Sequence, residues 1–135
     1  MRKAGTWHLK SGWLLVVLTS ILSAADPYRL IKTIPIPGDY GWDYLTADTE
    51  GRRLYVSHDR EVVVLDLDAA TIVGKIPGKS IHGIAISRDL GRGFISCSDP
   101  GSVIVFDFKT LAIVDKVIVG EDPNGIIYDL SLIHI

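Results

Sequence analysis

Beyond residue 50 the apolar residues gather in runs of four to six, each closed by Gly, Pro, Asp or Ser. LYVS (54–57), VVVLDL (62–67), TIVGKI (71–76) and IAIS (84–87) are rich in Val, Ile, Leu and Tyr, and that composition with those boundaries predicts short strands. After the first 25 residues no window carries apolar positions at i, i+3, i+4 and i+7 over three turns, so a βαβ architecture is poorly supported. Taken alone, VGEDPNGIIYD (119–129) reads as a hairpin, because Asn124-Gly125 between two apolar runs favours a tight primed turn.

Repetition changes that reading. From Gly51 the chain runs GRRLYVSHDREVVVLDLDAATIVGKIPGKSIHG, and from Gly91 it runs GRGFISCSDPGSVIVFDFKTLAIVDKVIVGEDPNG. Gly51-Arg52 matches Gly91-Arg92 at an offset of 40, Val64-Leu65-Asp66 matches Val105-Phe106-Asp107 at 41, and Gly83 matches Gly125 at 42. The drift implies single-residue insertions in the turns after His58 and near Pro77. A partial earlier copy, LIKTIPIPGDYGWDYLTAD, aligns with IVGKIPGKSIHGIAISRD. Four short strands every 41 or so residues is the period of a β-propeller blade, so the expected fold is all-β and built of four-stranded blades around a channel. Gly83-Ile84-Ala85-Ile86 and Gly125-Ile126-Ile127-Tyr128 are then innermost strands, and residues 119–129 form a crossover between blades.

The two units resemble the YVTN-type β-propeller repeats of exported bacterial proteins, with Leu54-Tyr55-Val56-Ser57 standing where that family's Tyr-Val-Thr-Asn stretch lies. The resemblance runs from about Tyr28 to Asp129. It implies a ring of seven blades, similar in shape to lactonase-like and surface-layer propellers, and it implies no particular reaction, because such propellers bind or process unrelated ligands.

Residues 1–25 read as a signal peptide: Arg2, Lys3 and Lys10 precede an apolar run at 13–22, and Ser23 and Ala25 occupy the positions a signal peptidase reads. About ten apolar residues are roughly half of what spans a bilayer, so cleavage after Ala25 and release to the periplasm or the exterior are expected, with no stable membrane span remaining. The rest divides into an outer strand and crossover (26–44), a blade (45–83), a second blade (84–125) and the start of another (126–129). Two and a half blades fall short of the four to eight that close a ring, which predicts an N-terminal fragment. The tail at 130–135, LSLIHI, leaves the repeat register where a glycine-containing turn is due and is expected to be foreign, adapter-like sequence.

Removing the leader leaves 11 Lys and Arg against 16 Asp and Glu, a formal charge of −5. That balance argues against a general nucleic-acid binder, leaving only a local patch such as Arg52-Arg53. Cys97 is the single cysteine, expected as a small buried strand residue, so neither an internal disulfide nor a cysteine-rich metal site can form. No cofactor is expected.

Loops that lead into innermost strands converge at one mouth of a propeller channel. Here they carry Trp42 and Asp43, then His82, then Asp122 and Asn124, which are the candidate ligand contacts. Asp and Asn also cap turns through their own side chains, and Trp42 could stack on a ligand ring or plug the channel end. His58 and Asp59 are expected on the surface, Asp66 and Asp107 on the amides of the following turn, and Arg52 and Arg92 in turns or beside an acid. His82 and Asp43 are the acid-base candidates if the protein is a hydrolase, but no Gly-x-Ser-x-Gly or His-x-x-x-His motif accompanies them. Three functions follow: a binding or scaffolding module for a small molecule, peptide or cell-envelope component; a lactonase-like or other hydrolytic enzyme; and a structural surface-layer or cell-wall repeat.

Overall fold

The computed structural model describes residues 28–38 and 41–129; the leader with its cut after Ala25 and the tail from Leu130 lie outside them. Residues 28–32 end a first unit, Met1–Lys32, and are exposed and without regular structure. The second unit, Thr33–Ile135, holds eight strands in two antiparallel sheets. The first sheet is β1 (Trp42–Asp48), β2 (Arg53–His58), β3 (Glu61–Asp66) and β4 (Thr71–Pro77), in that spatial order. The second is β5 (Ile81–Ser87), β6 (Arg92–Cys97), β7 (Ser102–Asp107) and β8 (Ile113–Ile118), again in chain order. Among the described residues there is no helix, and the two meanders are propeller blades.

The uninterrupted run at 62–65 is explained by burial on both faces of the sheet. Successive side chains of a strand point to opposite sides, so Val62 and Val64 join one core and Val63 and Leu65 the other, none more than 2% exposed. The first core lies between the blades, where Tyr55, Val62, Val64 and Ile76 meet Ile95, Ile104, Phe106 and Cys97. The rings of Tyr55 and Phe106 are tilted at 44° with centroids 5.9 Å apart. Full burial of side chains this size stabilises by roughly 1.5–3 kcal/mol each, which makes the interface the main source of cohesion. Ile34 and Ile36 pack against the opposite core of the first blade, with Val56, Val63 and Leu65. Cys97 is 1% exposed, and burial pushes its thiol up and away from the reactive thiolate, in keeping with a packing role.

Turn chemistry repeats from blade to blade. Asp66 Oδ1 accepts the amides of Asp68 and Ala69 at 2.9 and 2.8 Å, and Asp107 Oδ1 accepts those of Lys109 and Thr110 at 3.0 and 2.9 Å, the role their recurrence predicted. Arg52 pairs with Asp68 at 2.7 Å and Arg92 with Asp107 at 3.1 Å.

Strand pairing corrects the alignment of the two units. Asp48 lies opposite Arg53 and Ser87 opposite Arg92, so the counterpart of Arg92 is Arg53 rather than Arg52. The offset is 39 through the first two strands of each blade and 41 through the last two, because β2 and β3 are joined by two residues and β6 and β7 by four. The shared Gly-Arg dipeptide misleads because Arg52, at φ 53°, fills the left-handed position that Gly91 holds at φ 64°. Gly125-Ile126-Ile127-Tyr128 forms no strand; among the described residues it has no ladder partner, and the Gly83 amide donating to the Asn124 carbonyl at 3.0 Å ties its start to β5. Gly83 is a glycine because of this approach: a Cβ there would stand 2.9 Å from both the Asn124 oxygen and the Ile126 nitrogen.

Candidate functional site

β1 and β5 each begin with a break in register, between Trp42 and Leu45 and between Ile81 and Ile84. A serine on the neighbouring strand replaces the lost ladder bonds. The Ser57 hydroxyl accepts the Tyr44 amide at 2.6 Å and donates to the Tyr44 carbonyl at 3.1 Å. Ser96 accepts the Gly83 amide at 2.9 Å and shares its proton between the carbonyls of Gly83 and Asn124. Ser57 is the last residue of the Leu-Tyr-Val-Ser stretch, and Ser96 is its counterpart at the offset of 39. Bulges re-aim side chains, and these two carry Asp43 and His82.

Before each bulge the chain turns through a left-handed residue: Gly41 at φ 83°, Ser80 at φ 49° and, in the following crossover, Asp122 at φ 48°. The carbonyl of Gly41 accepts the Asp59 amide at 2.9 Å and that of Ser80 accepts the Ser98 amide at 3.0 Å. The hairpin turn at the far end of β2 or β6 is thereby drawn to the mouth. One register position then follows from blade to blade: Asp43, His82 and Asn124.

The imidazole of His82 and the carboxylate of Asp43 meet at 2.6 Å, Nδ1 to Oδ2, with side chains 25% and 37% exposed. A proton on Nδ1 donates to Oδ2, which fixes the ring and leaves Nε2 as the nitrogen available to a ligand. Trp42 stacks on the His58 ring, centroids 4.0 Å apart and planes within 9°. Tyr44 donates its hydroxyl to the Asn124 side-chain oxygen at 3.0 Å. A pocket of about 370 Å³ opens here, lined by Gly41, Trp42, Asp43, Asp59, Ser80, Ile81, His82, Ser98 and Asp122. Its lining holds three carboxylates, one imidazole and no Lys or Arg. The nearest base to Asp59 is Arg60 at 3.6 Å, itself 84% exposed.

Of the residues singled out in the sequence, Trp42, Asp43, His82 and Asp122 line this pocket, whereas Asn124 stands outside the lining and holds Tyr44. Asp59, exposed as expected, and Ser98 also line the pocket, although neither is among the candidate contacts read from the sequence. The available signal was topological: the turn after the second strand returns to the end at which the first strand starts. Tyr44 carried no signal of its own, since a tyrosine in a strand reads as packing. Among the described residues no group of three or more His, Cys, Asp or Glu is placed to hold a metal ion.

The solved structures similar to this chain are β-propellers. Hydrazine synthase of Kuenenia stuttgartiensis superposes with a TM-score of 0.64 at 19% identity, over 77% of this chain and 30% of that one. The β-propeller domain of Cps50 (Swd1) from Myceliophteria thermophila superposes with a TM-score of 0.57 at 22% identity, over 67% of this chain and 29% of that one. The chain thus spans less than a third of the length of either structure, and at these identities the likeness concerns the fold. No protein-family model matches the sequence, and no curated protein does.

Proposed function

We propose that the chain is part of an exported propeller of the YVTN type that binds a polar ligand at the channel mouth, in the periplasm or outside the cell. The observation that carries this reading is the shared register position of Asp43, His82 and Asn124, with the first two joined at 2.6 Å beside an open pocket. Rigid strands hold these side chains, and serine-pinned bulges direct them, a geometry suited to recognition. The occupant is a small molecule, a peptide or a cell-envelope component that offers donors to the carboxylates and an apolar face to Trp42. The leader at 1–25 supplies the route of export, and the acidic balance disfavours nucleic acid.

Thermal melting of the chain against a panel of sugars, amino acids and short peptides tests the reading. A true ligand raises the melting temperature of the native protein and not of the Asp43→Asn or His82→Gln variants. A panel that shifts all three proteins equally removes the mouth from consideration.

The Asp43–His82 contact also favours a second reading, hydrolysis, in which Asp43 orients the imidazole and His82 Nε2 takes a proton from water. Turnover of a simple lactone that His82→Gln abolishes supports this reading over binding alone.

A further inference from the structure

A second cavity, of about 220 Å³, lies at the end of the blades opposite the mouth, lined by Asp48, Gly51, Arg53, Arg88, Phe108 and Lys109. β1 and β5 start at the mouth and finish here, so the β1–β2, β5–β6 and β7–β8 turns enclose it. Its charge is the reverse of the mouth's: three cations face a single carboxylate. That carboxylate is already committed. Arg88 donates Nε and Nη2 to the two Asp48 oxygens at 2.7 and 2.6 Å, and the Gly51 amide adds a third bond at 3.1 Å. Glu50 approaches Arg88 at 3.6 Å from the outside and stays 78% exposed.

Arg53 is differently placed from its neighbours. The arginines at 52, 60, 88 and 92 each pair with a carboxylate, at 2.7, 3.6, 2.6 and 3.1 Å. Arg53 donates Nη1 to the Phe108 carbonyl at 2.7 Å and, among the described residues, neither it nor Lys109 has an ion-pair partner. No carboxylate among the described residues neutralises its guanidinium. Beside it the Arg88 guanidinium lies 5.5 Å over the Phe108 ring, which together with Asp48 fixes its plane. Burial pushes the Tyr55 phenol up, and Arg53, within reach of its hydroxyl, opposes that rise. A fork anchored at the Phe108 carbonyl, backed by a second guanidinium and flanked by an exposed ammonium, has the donor geometry that carboxylates and phosphates accept.

We infer that this cavity is an anion site for a carboxylate or phosphate group, with Arg53 and Lys109 as its ligands and Arg88 as a positioning residue. The volume is below the roughly 300–1,000 Å³ of sites for drug-sized ligands, so it takes one small oxyanion or the charged end of a larger molecule.

The test titrates the full chain with inorganic phosphate and, separately, with succinate, exchanging chloride to hold ionic strength constant. Binding is read from the ³¹P or ¹³C line width of the anion. Saturable broadening is expected, weakened about tenfold by Arg53→Gln and about threefold by Lys109→Gln. Lys116→Gln, on the exposed strand β8, and His82→Gln, at the mouth, leave it unchanged. The anion that saturates at the lower concentration identifies the source as phosphate or carboxylate. Lys109 is exposed, so its variant separates ligand loss from unfolding even if Arg53→Gln perturbs the blade. Non-saturating broadening with both anions overturns the inference, as does equal loss in Lys109→Gln and Lys116→Gln.

Discussion

Val62, Val64 and Ile76 of the first blade are sealed from solvent, each 0% exposed, whereas their counterparts in the second, Val103, Val105 and Val117, are half-buried or, for Val117, 47% exposed. The residue types barely differ. What differs is the neighbour: the first blade has a sheet against this face, and the second has Tyr128 stacked on Phe94 at 6.3 Å. Apolar character on both faces therefore belongs to the repeat, while sealing belongs to whatever lies alongside. A strand's contribution to stability has to be argued from the pair of surfaces.

The largest contrast is expected at that face. Ile76→Ala should cost about 2–5 kcal/mol in urea unfolding, and Val117→Ala, at the same place in the second blade, less than about 1 kcal/mol. Similar costs would mean that the second face is as well covered as the first.

The next contrast concerns the acid at the end of the innermost strand, Asp48 in one blade and Ser87 in the other. Burial alone pushes the Asp48 carboxyl up, but the Arg88 guanidinium and the Gly51 amide outweigh it and hold the group below the ordinary carboxylate range. Its stabilisation is therefore complete above the unfolded carboxylate pKa and is lost as pH falls through the lower native value. Asp48→Asn should remove about 1–3 kcal/mol at neutral pH, a figure reduced because Arg88 is 33% exposed, and should flatten the acid limb of a urea-midpoint profile. Ser87→Ala should flatten that limb less, by releasing only Asp89, whose exposed carboxyl the Ser87 hydroxyl holds low through a 2.7 Å bond.

The two pinning serines give a smaller effect. Ser57→Ala strands the Tyr44 amide and carbonyl at a cost of about 1–2 kcal/mol, and Ser96→Ala should cost less, because the Gly83 amide keeps the Asn124 carbonyl at 3.0 Å. Amide exchange at Tyr44 and Gly83 reports each loss locally. The smallest contrast lies in the left-handed residues of the β3–β4 and β7–β8 turns. Ala70→Gly, at φ 53°, should stabilise by about 0.5–1 kcal/mol, whereas Leu111→Gly, at φ 64°, should not, since Leu111 packs against the core between the blades.

The strands were largely legible because four apolar runs with turn residues between them permit little else. Three of the four expected spans match β2, β3 and β4 to within a residue at each end, but β5 starts at Ile81 rather than Ile84. His82 and Gly83 look like loop residues because they occupy a bulge that Ser96 holds from another strand. The repeat is visible in the sequence, yet the shared Gly-Arg dipeptide sets its register one residue off at Arg52, where backbone conformation outweighs residue identity. At the mouth, Asp43 and His82 were found by their shared position. Asp59 and Ser98 were not, because a two-residue or four-residue hairpin turn gives no linear sign of the carbonyl that captures its amide.

The left-handed residues ahead of each bulge separate two demands that proteins often have to reconcile. Gly41, Ser80 and Asp122 set the direction of the backbone, and the mouth positions that follow are held in the first two blades by serine hydroxyls bonding main-chain atoms. The side chain displayed next is an aspartate, a histidine or an asparagine, with little bearing on how the loop is built. Each such position works as a socket with a fixed mount, so the rim can be recomposed one residue at a time without renegotiating the scaffold.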